Sequence, residues 1–131
     1  MSTLTVYTII ILVILALFVA WQGITAILRN RVAKMIDDEA FQEGRRQGQI
    51  IDVREKRSFD AGHILGARNV PYSTMKAFYT QIRNDMPVYL YDQGTTLSTR
   101  AALLLAKHGY KEIYILKRGY QRWEGKTKKS E

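Results

Sequence analysis

The stretch VYLYDQGTTLSTRAALLL, Val88 to Leu105, contains an apolar run, a short polar segment and a second apolar run. The first run predicts a buried β-strand, and the second predicts an apolar helix. Asp92 is the one charged residue before the helix, and it stands at the carboxyl end of the predicted strand. In α/β proteins, ligands and reacting groups usually lie at this end of a strand. The sequence therefore places a candidate site at Asp92.

The beginning of the chain differs chemically from the rest. Every Lys, Arg, Asp and Glu follows Leu28, so the net charge of +8 belongs to the later residues. As a helix, the uncharged run of residues 4–28 could cross about 30 Å of hydrocarbon, at about 1.5 Å per residue. A cleaved signal peptide would begin with basic residues, and a buried helix of this length has no place in so small a domain. We therefore predict a transmembrane anchor at residues 1–30 and one domain at residues 31–131.

Basic residues crowd the carboxyl-terminal side of the apolar run, at Arg29, Arg31 and Lys34, and none precedes the run. Because basic flanks stay on the cytoplasmic side, we expect a single-pass protein of the cell membrane, with its N-terminus outside and its domain cytoplasmic. The lipid bilayer, contacted through residues 4–28, is thus a predicted partner. The basic excess of the domain fits a position beside anionic headgroups. No groove-reading motif is present, so no nucleic acid partner is expected.

Strand-like and helix-like stretches alternate after the anchor. This alternation predicts an α/β domain with a small, mostly parallel sheet flanked by helices. The tail of residues 126–131 is expected to be frayed. The expected strands lie in QIIDVRE (49–55), at 67–70, in MPVYLYD (86–92) and from Glu112 to Leu116. The expected longer helices are one capped by Asp37 or Asp38 and ending near Gly44, one capped by Ser73 or Thr74, and one stopped by Gly109. A turn of helix is expected around Phe59, and a short helix is expected to carry Trp123.

The chain contains no cysteine. Disulfides, thiolate metal ligands and a cysteine nucleophile are therefore excluded.

Two motifs carry a resemblance to a known family. IIDVRE (50–55) is followed by Phe59 and then by GHILGARNVP (62–71). This order and spacing resemble the rhodanese family, over roughly residues 36–123. The resemblance implies a small, mostly parallel rhodanese-like sheet flanked by helices, preceded here by one N-terminal transmembrane helix.

In the rhodanese family a cysteine ends the active-site strand, and the backbone N–H groups of the following loop converge on its sulfur. The resemblance places Asp92 at the position of that cysteine. It implies a loop of six residues: Gln93, Gly94, Thr95, Thr96, Leu97 and Ser98. A carboxylate has no polarisable sulfur with which to carry a sulfane atom. We expect Asp92 instead to fill the cradle by accepting the loop N–H bonds.

The resemblance thus implies a rhodanese-like domain without its catalytic cysteine, acting as a binding or regulatory module. Its expected recognition surface is the loop from Asp92 to Ser98, flanked by Asp52, Arg54 and Arg100. A protein is the expected partner, and no cofactor or metal is implied.

An enzyme remains the competing hypothesis. VYLYDQGTTL partly resembles the haloacid dehalogenase-like phosphotransferase signature, in which Asp92, Thr96 and Leu97 match. The second aspartate of that signature, the general acid, is Gly94 here, and no acidic pair for Mg²⁺ stands out downstream. Phosphoester hydrolysis through Asp92 is one form of this hypothesis. Sulfur relay with a thiol supplied by a partner is the other.

The supporting residues have structural explanations. The resemblance implies an ion pair between Asp52 and Arg54 beneath the loop, and a structural pairing is expected rather than a catalytic one. The resemblance implies that His63 is structural and ties its turn to its neighbours, and a lone histidine makes no metal site. Ser98 and Thr99 are expected as N-caps of the following helix, since no base is in view to activate either one.

Overall fold

The computed structural model describes residues 2–129. It begins with a long helix, α1 (Thr3–Val32), whose first turn is capped by Ser2. In residues 2–129, α1 is the one helix long and apolar enough to cross a membrane. Its large apolar side chains are exposed, and none of its residues is buried. The apolar run is therefore helical and lies outside the core.

A five-stranded parallel sheet organises the rest of the chain, with strand order β1-β6-β5-β2-β4. Its strands are β1 (Lys34–Ile36), β2 (Gln49–Asp52), β4 (Arg68–Asn69), β5 (Val88–Tyr91) and β6 (Ile113–Leu116). A small antiparallel pair, β3 (His63–Ile64) with β7 (Thr127–Lys128), lies apart from it. The predicted α/β fold with a mostly parallel sheet is confirmed.

Helices cover both faces of the sheet. They are α2 (Asp38–Gly44), α3 (Lys56–Ala61), α4 (Met75–Phe78) and α5 (Thr96–Lys107). Three short 3-10 turns, at Tyr72–Thr74, Tyr79–Gln81 and Tyr120–Arg122, complete the structure. One face packs Ile51 and Leu90 against α5, and the other packs Ile50 and Tyr89 against Phe41 of α2. Because both faces are covered, β2 and β5 are buried along their whole length.

The last turns of α1 belong to the domain. Thr25, Ala26 and Arg29 are partly buried, and α1 contacts α5. Val32 and Ala33 pack into the core face that α5 covers. The apolar helix is therefore joined directly to the domain, with no free linker between them.

Three local predictions are wrong. Lys34–Ile36 forms an edge strand, β1, where no strand was expected. The single helix expected after Ser73 or Thr74 is broken into two 3-10 turns and the four-residue α4. The tail is not frayed at Thr127–Lys128, because these residues pair with β3; its residues 130 and 131 lie outside the described part of the chain.

Candidate functional site

The site forms at the carboxyl edge of the parallel sheet. Asp52 ends β2 and lies opposite Tyr91, which ends β5. Asp92 follows Tyr91 directly, so both carboxylates emerge at the same edge. Tyr120, in the segment after β6, reaches this edge as well, and its N–H donates to the Asp92 carbonyl at 2.9 Å. Three neighbouring strands therefore deliver residues to one place.

The Asp92 carboxylate is directed into the start of α5. Asp92 is only 4% exposed. Its Oδ2 accepts a hydrogen bond from Leu97 N at 3.0 Å, and its Oδ1 accepts one from Ser98 Oγ at 2.8 Å. Both donors belong to the first turn of α5, where N–H groups lack partners within the helix and favour negative charge. Asp92 therefore occupies an anion-binding position with its own side chain.

Two details of this position differ from the sequence-based expectation. Among the described residues, one main-chain amide reaches the carboxylate, and the second donor is a hydroxyl rather than another amide. The helix α5 already begins at Thr96, so the loop before it is only Gln93–Thr95. The prediction that Ser98 and Thr99 are N-caps is also wrong: Thr95 is the N-cap residue, and both of them lie within the helix. Asp92, three residues before the N-cap Thr95, accepts the hydrogen bonds from the first turn of α5.

Gly119 allows the loop to lie close to the segment after β6. Its φ of +73° is in the left-handed region, which favours glycine. A Cβ at Gly119 would collide with the Gln93 carbonyl. In contrast, a Cβ at Gly94 would meet open space. The loop conformation thus depends on Gly119, not on the glycine inside the loop.

A buried ion pair supports the loop from below. Asp52 is fully buried and Arg54 is 7% exposed. The Arg54 guanidinium donates to Asp52 Oδ2 at 2.7 Å, to the Gly62 carbonyl at 2.6 Å and to Gln93 Oε1 at 3.4 Å. It also lies over the Tyr120 ring, 4.3 Å from the centroid. Arg54 therefore connects β2, the following turn, the loop and the segment after β6.

This environment shifts two pKa values. Burial alone would lower the pKa of Arg54, but its hydrogen bond and charge interaction with Asp52 outweigh burial and raise that pKa. Burial also raises the pKa of the Tyr91 phenol, and the nearby Asp52 charge raises it further. The Tyr91 hydroxyl accepts a hydrogen bond from Ile64 N at 3.0 Å. Arg54 stays charged and Tyr91 stays neutral at physiological pH.

The GHILGARNVP motif holds the buried Asp52–Arg54 ion pair in place. Asn69 donates from its side-chain amide to the carbonyls of Asp52 and Arg54, at 3.0 and 2.9 Å. Gly66 has a φ of +92°, which permits the turn between β3 and β4. His63 is buried, donates from Nδ1 to the Phe59 carbonyl at 2.8 Å, and stacks on the Phe59 ring. The expected structural role of His63 agrees with these contacts.

The predicted site residues separate into two groups. Asp52, Arg54 and His63 are buried and offer little accessible surface, and Arg54 contacts the loop at Gln93. Gln93, Thr96 and Arg100 are exposed. Arg100 faces the space between α1 and α5, one turn beyond the Asp92 contacts. The accessible part of the candidate site is therefore Gln93, Thr96 and their immediate neighbours.

Sequence reasoning missed three contributors to the site: Tyr120, Gly119 and Asn69. Tyr120 and Gly119 lie just after the carboxyl end of a predicted strand, and this position could have indicated that they belong to the site. Asn69 lay inside the quoted motif without an assigned role. In residues 2–129, no group of three or more His, Asp or Glu side chains is arranged to hold a metal ion.

The fold is that of a known class. The family model for the rhodanese-like domain matches residues 29–126. A rhodanese-like domain protein from Staphylococcus aureus has a similar structure, with a TM-score of 0.67 at 19% identity over 75% of this chain and 99% of that one.

Sequence relatives extend the match. The uncharacterized protein YqhL of Bacillus subtilis is 46% identical over 119 residues, covering 91% of this chain and 94% of that protein. The thiosulfate sulfurtransferase GlpE of Ectopseudomonas mendocina is 33% identical over 91 residues, covering 69% of this chain and 84% of GlpE. The chain belongs to the rhodanese-like domain family, and it contains no cysteine.

Proposed function

We propose that this chain is a membrane-tethered, non-catalytic rhodanese-like module that binds or regulates a protein partner. The observation that carries the proposal is the buried Asp92 carboxylate, whose two oxygens accept hydrogen bonds from the start of α5. Sulfur transfer needs a thiolate that can hold a sulfane atom as a persulfide, and a carboxylate cannot do so. This chain therefore lacks the nucleophile that thiosulfate sulfurtransferase activity, named for GlpE, would require.

The exposed apolar surface of α1 supports membrane tethering. At 30 residues the helix is about 45 Å long, which exceeds the roughly 30 Å of a bilayer's hydrocarbon. A contiguous apolar surface of this size is unfavourable in water. Arg29 and Arg31, in the last turn, favour a cytoplasmic domain with the N-terminus outside.

Two measurements on membranes test the tethering. The full chain should stay in the membrane pellet through alkaline carbonate extraction. Protease added to the cytoplasmic side should digest the domain, and protease added outside should leave it intact. Extraction by carbonate would contradict the anchor, and digestion from outside would contradict the orientation.

The recognition surface is the exposed side of the loop and the start of α5, around Gln93 and Thr96. This surface rests on a rigid base, because Arg54 holds Gln93 from below and Gly119 fits against its carbonyl. A loop fixed in this way binds a partner with little loss of conformational entropy. The bilayer would confine the encounter to two dimensions.

Photocrosslinking in intact membranes tests this surface. A photoreactive residue at Gln93 should give a discrete protein adduct. The matched control is the same residue at Gln47, which is also exposed but precedes β2 and so lies at the opposite edge of the sheet. Adducts of equal yield at both positions, or none at Gln93, would contradict the proposed surface.

The enzyme hypothesis has its own test. Phosphoester hydrolysis through Asp92 would require Mg²⁺ and would disappear in Asp92→Asn. Incubation of the full chain with p-nitrophenyl phosphate, with and without Mg²⁺, should give no Asp92-dependent hydrolysis. Hydrolysis that depends on both would replace the proposed binding module with an enzyme.

A further inference from the structure

A large cavity lies between the apolar helix and the domain, beside the place where α1 contacts α5. It has a volume of about 960 Å³ and lies between α1 and α5. Phe18 and Trp21 line it from α1, and Arg100, Leu103 and Lys107 line it from α5. The α5 residues are spaced three and four apart, so they form one stripe along the helix. The α1 side of the cavity is thus mostly apolar, with Gln22, Thr25 and Arg29 as its polar residues, and the α5 side is partly basic.

The charge of the cavity is of one sign. Arg29, Lys76, Arg100 and Lys107 are among its lining residues, and none of the described lining residues is acidic. Lys76, Arg100 and Lys107 are exposed. Like charges gathered around one space favour an anionic occupant.

The position of the cavity identifies that occupant. A span needs about 20 residues of helix, so the part of α1 up to Trp21 is long enough to cross the hydrocarbon, and Arg29 then lies at the level of the headgroups. Phe18 and Trp21, two to three helical turns before Arg29, then lie at the edge of the hydrocarbon. A ligand that fills the cavity must therefore present a negative group near the domain and apolar chains beside α1. A soluble anion or an acidic peptide would leave the apolar wall uncovered.

We propose that the cavity binds an anionic phospholipid, with its phosphate among Lys76, Arg100 and Lys107 and its acyl chains along Phe18 and Trp21. Thr95 and Thr96 also line this space, so the bound lipid lies beside the loop that carries Asp92. Lipid binding would thus hold the recognition surface at the membrane. This inference rests on the proposed insertion of α1.

Fluorescence quenching in vesicles tests the site. The chain has two tryptophans, and Trp123 packs against Phe41 on the far face of the sheet. The full chain with Trp123→Phe therefore reports on Trp21 alone. The probes are vesicles of phosphatidylcholine containing equal fractions of brominated phosphatidylglycerol or brominated phosphatidylcholine.

Phosphatidylglycerol should bind beside Trp21 at least tenfold more tightly than phosphatidylcholine. Each nearby Lys or Arg contributes up to about fivefold to this preference, the equivalent of about 1 kcal/mol. The variant Lys76→Gln/Arg100→Gln/Lys107→Gln should reduce the preference to less than about twofold. The matched control, Arg45→Gln/Arg46→Gln/Lys126→Gln, removes the same charge from a cavity beside α2 and should keep the preference.

The outcomes separate this inference from the proposed anchor. Equal quenching by both lipids, in protein that resists carbonate extraction, would overturn the lipid site and leave the anchor standing. Loss of the preference in the control variant would reveal general charge attraction and would also overturn the site. Protein that carbonate extracts would overturn the anchor and the lipid site together.

Discussion

Ser98 donates a hydrogen bond of 2.8 Å from its hydroxyl to the Asp92 carboxylate, so the first turn of α5 holds the residue that follows β5. The same carboxylate accepts the Leu97 N–H. We propose that this is the place of the cysteine whose sulfur carries the chemistry of the rhodanese family. Here the buried Asp92 side chain fills the anion position.

The Asp92 contacts should contribute measurably to stability. Asp92→Ala removes a charged acceptor from two donors and leaves both without it, so we expect a loss of about 2–3 kcal/mol in the free energy of unfolding. Ser98→Ala removes one of the two bonds and should cost about 1 kcal/mol. Denaturant unfolding of the full chain in mild detergent, followed by circular dichroism, measures both. Equal stability of wild type and Asp92→Ala would contradict the described contacts.

A thiol at position 92 should be acidic. The chain has no cysteine, so Asp92→Cys carries a single thiol whose alkylation rate can be followed against pH. The start of α5 favours the thiolate, so its pKa should fall below the ordinary value of about 8.5 by about one unit. The control is Ser73→Cys, at an exposed position in a 3-10 turn. If the pKa of the thiol at position 92 equals or exceeds that of the thiol at position 73, the start of α5 does not stabilise an anion there as described.

Gly119 should be more sensitive than Gly94. Gly119→Ala forces a side chain into a left-handed conformation and against the Gln93 carbonyl, which should cost about 1–3 kcal/mol and displace the loop. Gly94→Ala, in the loop itself, meets open space and should leave stability nearly unchanged. Thermal unfolding compares the two, and amide exchange at Leu97 reports on the loop. Equal effects would contradict the close approach at Gly119.

Breaking the buried ion pair should destabilise the whole carboxyl edge. Asp52→Ala leaves the Arg54 charge buried without its partner, and we expect a loss of about 3–5 kcal/mol. The control is Asp85→Ala, which breaks an exposed pair with Arg83 and should shift the unfolding midpoint little. Similar shifts in both variants would show that the Asp52–Arg54 pair is not structural.

Local sequence pattern was sufficient to predict many of the strands and helices. It failed for elements that form only by pairing with residues distant in sequence. The run before Asp92 is apolar enough to require a buried strand, and Gly109, with a φ of +92°, ends α5 as predicted. The edge strand at Lys34–Ile36 is three residues long and exists because it pairs with β6, about 80 residues away. A short pairing of this kind leaves no periodic signal.

The candidate site divides in the same way. Asp92 was predictable from its place after a strand. The stacking of Tyr120 on Arg54 and the approach of Gly119 to Gln93 join segments far apart in sequence. The start of α5 at Thr96, earlier than expected, and the hydrogen bond from the Ser98 hydroxyl to Asp92 were not predicted.

The most direct test of the central claim is sulfur transfer from thiosulfate to cyanide by the full chain in vesicles or mild detergent, read as thiocyanate formed. GlpE run in parallel confirms that the assay works. Since the Asp92 carboxylate holds no sulfur, we predict no thiocyanate above the buffer rate and no protein-bound sulfane sulfur by mass spectrometry. Enzyme-dependent thiocyanate, or a stable sulfur adduct on the wild-type chain, would contradict the account.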